Sequence, residues 1–125
     1  MTWIDGYVIP VLEARRADYA RMARTAAHVF IKHGALHVLE SWSADLPAGE
    51  VTDFRRAVAA EEGEGVVFSM IVWPDRATRD AGHKAVFEDP RMAEAIDMSV
   101  FNSKRMIIGG FEEILSMRAS GGEGA

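Results

Sequence analysis

The chain has 125 residues and a mass of 13.8 kDa, with 49% apolar and 26% charged residues. That is the composition of one ordinary globular domain, and it excludes a disordered, collagen-like or coiled-coil chain. Net charge of -5 disfavours nucleic acid as a partner, and the lack of Cys excludes disulfides, a thiolate nucleophile and Cys-ligated metal centres.

No apolar run approaches the roughly 18 residues of a membrane span, and no signal-peptide pattern opens the chain, so the cytoplasm is the expected compartment. Trp3 to Val11 is rich in β-branched and aromatic residues and reads as a strand ending near Pro10. From Glu13 to His33 the spacing becomes helical, with Tyr19, Met22, Ala23, Ala26 and Phe30 on one stripe, and Gly34 is the stop. Ala35 to Ser43 reads as a second strand, with Leu36, Val38, Glu40 and Trp42 on one face and His37, Leu39 and Ser41 on the other.

Ala44 to Thr52 carries loop chemistry, and Phe54 to Ala60 reads as a strand leading through the charged turn Glu61–Gly65 into the strong strand Val66–Trp73. Asp75 caps a helix over Arg76–Glu88, and Asp89 followed by Pro90 caps a shorter one to about Asp97. Lys104 to Met117 is the last strand, interrupted at Gly109 and Gly110, and Ala119 to Ala125 is an expected disordered tail.

This order predicts an α+β, ferredoxin-like βαββαβ domain over residues 1–118, with an antiparallel sheet and an extra hairpin arm. Helices cover one face of such a sheet. Val66–Trp73 and Arg105–Leu115 are apolar on both faces, so a second layer is required, and another copy of the chain is the economical source. Homodimerisation is therefore expected.

Several segments in this order carry a family resemblance. They are Asp5-Gly6-Tyr7-Val8, Val51-Thr52-Asp53-Phe54-Arg55, Val66-Val67-Phe68-Ser69, Asp89-Pro90-Arg91-Met92 and Lys104-Arg105-Met106-Ile107, followed by Gly109-Gly110-Phe111-Glu112. From about residue 3 to residue 115 the chain resembles the YbaA-like bacterial family of unknown function, of the dimeric α-β barrel superfamily. It departs from the family's Pro-Phe-Asp-Gly loop at Val100-Phe101-Asn102-Ser103, which weakens a role resting on an acidic group there. The resemblance implies the dimeric barrel fold and brings no established activity. The wider superfamily includes cofactor-independent monooxygenases, haem-handling enzymes and ligand sensors, and those are analogies of fold.

Four histidines, His28, His33, His37 and His83, show no i, i+4 pair within one helix, so no metal site is expected. With no phosphate loop, nucleophile elbow or dinucleotide fingerprint, no cofactor is expected either. What remains is a set of charges on apolar strands. Each must be paired, exposed or protonated, and pairs such as Asp5 with Arg105, or Asp53 and Arg55 fastening a dimer, would satisfy that rule.

The sharper expectation places Glu40 in a barrel cavity with Trp42 and Trp73, where desolvation would make it a general base on an aromatic substrate. Arg55 or Arg105 would then stabilise an oxyanion. Glu40, Arg55 and Arg105 are thus the candidate catalytic residues, and Asp5, Trp42, Asp53, Trp73 and Lys104 the candidate ligand-binding set. A non-catalytic module that binds a small ligand or a protein is the alternative.

Overall fold

In the computed structural model, which describes residues 1–120 and 122–123, the first strand is β1 (Trp3–Leu12). It is followed by a 3-10 turn (Glu13–Arg15) and helix α1 (Arg16–Lys32). Then come β2 (His37–Trp42), the short α2 (Phe54–Ala57), β3 (Glu64–Trp73), α3 (Arg76–Glu88), α4 (Pro90–Ala95) and β4 (Ile107–Glu112). Two-residue strands β5 (Met117–Arg118) and β6 (Gly122–Glu123) pair with each other. The tail expected over 119–125 includes residues 121, 124 and 125, which lie outside the described residues.

The main sheet has the order β2-β3-β1-β4, antiparallel throughout. This is the ferredoxin-like βαββαβ topology. α1 and α3 lie on one face. Ile9, Val11, Val67, Ile71 and Trp73 point toward them and pack with Tyr19, Met22, Val29, Phe30 and Val86. The opposite face carries Ile4, Val8, Phe68, Met70, Val72, Ile107 and Phe111; among the described residues Phe54 of α2 packs edge-on against Phe68, and no helix layer covers the rest. Phe68 is 43% exposed and Phe111 60%.

Local chemistry explains the boundaries. Gly34, at φ +111°, takes the left-handed conformation that ends α1, and the backbone N–H groups of His33 and Ala35 bond back to the Phe30 carbonyl. Asp75 and Asp89 each accept a backbone N–H in the first turn of their helices, from Thr78 and Arg91. Pro10 does not end β1. β4 pairs only as far as Val8, so β1 has a single neighbouring strand around Pro10, where a missing N–H is tolerated.

Two expectations are corrected. Residues 54–57 are helical rather than a strand, so the extra arm is a loop and a helical turn. Asp53 accepts the Arg56 N–H at 2.8 Å and nucleates that turn, and the Ala and Arg residues favour it intrinsically. The last strand begins at Ile107 and ends at Glu112 rather than running from 104 to 117. The Asn102 side-chain carbonyl accepts the N–H groups of Lys104 and Arg105 and holds them in a turn.

Candidate functional site

Two carboxylates stand on the helix-facing side of the sheet, Glu40 on β2 and Asp5 on β1, and their surroundings differ. Register places Glu40 opposite Ser69 of β3. Ser69 Oγ donates to Glu40 Oε2 at 2.6 Å, and Tyr19 Oη, reaching down from α1, donates to Oε1 at 2.6 Å. Burial, reinforced by the Glu40 charge, pushes the Tyr19 phenol well above its ordinary range, so Tyr19 stays protonated and serves as a donor.

Glu40 itself is exposed to a cleft of about 410 Å³ between α1 and β2. The cleft exists because α1 presents Ala20, Ala23 and Ala27 to β2, side chains too short to close the gap. Trp42 forms one wall. Its indole lies flat over Gly65 of β3, where a Cβ would overlap the ring, so the glycine is what allows this pose. The Arg16 guanidinium sits 5.1 Å from the Trp42 ring centroid, and Arg24 also lines the cleft.

Asp5 is 2% exposed and saturated. Trp3 Nε1 (3.2 Å), Trp73 Nε1 (3.0 Å) and Arg79 Nε (3.1 Å) donate to it, and His83 Nε2 lies 2.8 Å from Oδ2. Burial alone would raise this carboxyl. The hydrogen bonds from His83, Arg79 and Trp3 outweigh it and bring the pKa down to about 2. Nearby, Tyr7 is pushed up to about 12 by burial, with the Asp5 charge as the next cause.

Glu40 and Trp42 therefore share one cleft as expected, but Trp73 does not join them. Trp73 faces the helices from the far end of β3, is fully buried and binds Asp5. The expected Asp5–Arg105 pair is replaced by Asp5–Arg79, at 3.0 Å. Arg105 instead joins two loops, contacting Glu64 at 2.7 Å, Glu61 at 3.4 Å and the Val58 and Ala59 carbonyls. Arg55 donates to the Glu64 and Glu61 carbonyls. Neither arginine lines the Glu40 cleft, so neither is placed to stabilise an oxyanion there.

Asp53 caps α2 and pairs with Arg56 at 2.8 Å. The backbone N–H of Arg56, then its side chain, lowers its pKa to about 2. Asp53 and Arg55 thus make intrachain contacts. Lys104 is exposed and borders a different cavity of about 500 Å³ with Phe101, Met98 and Arg105. Among the described residues, no three His, Asp or Glu side chains converge as metal ligands.

Sequence reasoning missed Tyr19, Ser69, Arg16 and Arg24 as parts of this cleft, and Arg79 and His83 as partners of Asp5. Ser69 carried a readable signal. It is the one polar residue among the inward positions Val67, Ser69, Ile71 and Trp73 of β3. Tyr19 lay on the apolar stripe of α1 and was readable only as core.

Comparison with known proteins adds the following. Residues 2–103 match the family described as "Protein of unknown function (DUF1428)". The uncharacterized protein YbaA of Escherichia coli strain K12 is 47% identical over 115 residues, which cover 92% of this chain and 98% of that one. YbaA of Shigella flexneri matches with the same values. Among solved structures, SnoaB, a cofactor-independent oxygenase from Streptomyces nogalater, superposes with a TM-score of 0.58 at 13% identity. The match covers 93% of this chain and 96% of SnoaB. That likeness is one of fold, and the fold is the α-β barrel subunit.

Proposed function

The chain belongs to the DUF1428 family of proteins of unknown function, which it shares with YbaA. On that premise we propose that it is a homodimeric α-β barrel protein binding one small, planar aromatic molecule per subunit, with Glu40 as the proton acceptor. The observation that carries this reading is the Glu40 carboxylate, fixed by two hydroxyl donors at 2.6 Å yet open to a cleft walled by Trp42. An aromatic wall beside an oriented base suits a hydroxylated ring. The ring packs against the edge of the indole, whose faces meet Gly65 and Arg16, and its hydroxyl proton passes to a free carboxylate lone pair.

Cofactor-independent oxygenation is the catalytic form of this reading. An electron-rich ring deprotonated by Glu40 would give four electrons and two of its own hydrogens to dioxygen, one oxygen atom becoming a ring carbonyl, as when a naphthol becomes its naphthoquinone, and the other leaving as water. SnoaB, named a cofactor-independent oxygenase, supplies the precedent on this fold. Oxygen uptake with a bound hydroxyaromatic, lost in Glu40→Gln, is the expected result. Binding without uptake would leave a non-catalytic binder.

The homodimer rests on the uncovered apolar sheet face. Phe68, Phe111, Ile107 and Leu39 are each more than two-fifths exposed there, and a stable interface buries about 800 Å² per partner. Sedimentation should give a dimer, and Phe111→Glu a monomer. A monomeric parent protein would contradict the assembly. We further assign residues 1–118 to a single domain working in the cytoplasm. Among the described residues, no helix is long and apolar enough to cross a membrane.

A further inference from the structure

Arginine pairing is uneven across this molecule. Just before α1, Arg15 pairs with Asp18 and Asp97, and on α1 Arg21 pairs with Asp18. Beyond α1, Arg56, Arg76, Arg79, Arg91 and Arg105 each have a carboxylate partner. Arg16, Arg24 and Arg118 make neither an ion pair nor a side-chain hydrogen bond among the described residues, and of these Arg16 and Arg24 line the cleft above Glu40.

They differ from a solvated helix face in what they border. Arg16 lies against the wall formed by Trp42, and the two arginines stand eight residues apart on α1, with the Ala20 and Ala23 gap between them. The floor holds the opposite charge, Glu40, whose two oxygens are already oriented by Tyr19 and Ser69. The cleft is therefore polar at two separated ends, cationic at the helix rim and proton-accepting at the sheet floor, with apolar Val38, Val67 and Trp42 between.

We infer that the ligand of this cleft is an aromatic hydroxy acid. Its carboxylate lies under Arg16 or Arg24, its ring against Trp42 and its hydroxyl on Glu40. A guanidinium offers paired N–H donors matched to a carboxylate, whereas a neutral phenol gives neither arginine an anionic partner. A ligand carrying its acid next to the floor is disfavoured by the Glu40 charge, so the charges also set the orientation. This inference rests on the aromatic-binding reading above and adds the ligand's charge and direction.

The test uses two probes with the same ring and hydroxyl, 6-hydroxy-2-naphthoate, whose acid and hydroxyl sit at opposite ends of the ring, and 2-naphthol, titrated calorimetrically into the full-length protein. The naphthoate is expected to bind at least tenfold more tightly. Its affinity should fall as potassium chloride rises from 20 to 300 mM, an effect of screening that naphthol lacks. Arg16→Gln combined with Arg24→Gln should abolish the difference between the two probes when both are measured in that variant. Trp42→Leu should weaken both. The salt series on the unaltered protein keeps the test available if the double variant folds poorly. Equal affinities insensitive to salt and to the arginines would overturn the hydroxy-acid inference and leave the aromatic cleft standing. Naphthoate binding indifferent to Trp42→Leu would place the anion elsewhere and also overturn it. Binding of neither probe would overturn both readings.

Discussion

Asp5 and Glu40 occupy the same face of the same sheet, yet one is closed and the other open. Asp5 meets four donor side chains from β1, β3 and α3 and has almost no exposure. Glu40 meets two hydroxyls and looks into a cleft. The difference originates in the helices above them. α3 places Arg79 and His83 one turn apart, directly over Asp5, while α1 offers alanines over β2 and leaves its arginines at the rim. A carboxylate filled by fixed donors ties elements together, and one held by two donors with an open side is equipped to exchange a proton.

Stability should separate the two centres. Trp73→Ala empties a fully buried site and is expected to cost about 3–5 kcal/mol in chemical denaturation. Asp5→Asn, which leaves Arg79 and His83 without their anion, should cost about 3 kcal/mol. A loss below 1 kcal/mol would erase the distinction between the centres.

Acid sharpens it further. The Asp5 carboxyl is depressed from 3.8 to about 2 by folding, so its contribution is complete above about pH 4 and disappears as the pH falls through 2. The parent should lose about 2 kcal/mol more than Asp5→Asn across that window. Equal acid slopes would contradict the assignment. At the open centre the effects are smaller: Trp42→Ala should cost about 1 kcal/mol and Glu40→Gln less than about 1 kcal/mol, with unchanged circular dichroism.

Much of the frame was legible because its signals are local. Asp75 fixed the start of α3 at Arg76, Asp89 with Pro90 fixed α4, and alternation along β2 put Glu40 and Trp42 on one face. The misreading at 54–57 was local as well. The Asp53 cap competed with an apolar, strand-like neighbourhood, and the short helix won through the Asp53 side chain, which holds both the backbone N–H and the guanidinium of Arg56. Partner choice was not legible. Arg105 and Arg79 are equally plausible mates for Asp5 in one dimension, and only the crossover of α3 over β1 decides for Arg79. Trp73 was assigned to the Glu40 cavity because both face inward. Register sets Glu40 against Ser69, four residues back along β3, and that offset carries Trp73 to the other centre.

In the proposed reading the open centre at Glu40 holds a small molecule in a dimeric protein. Native mass spectrometry of the protein purified from its natural host, beside Glu40→Gln prepared the same way, tests it most directly. The expected result is a dimer with one small molecule retained per subunit in the parent, and a dimer stripped of that mass in the variant. A bare monomer, or a retained mass identical in both proteins, would contradict it.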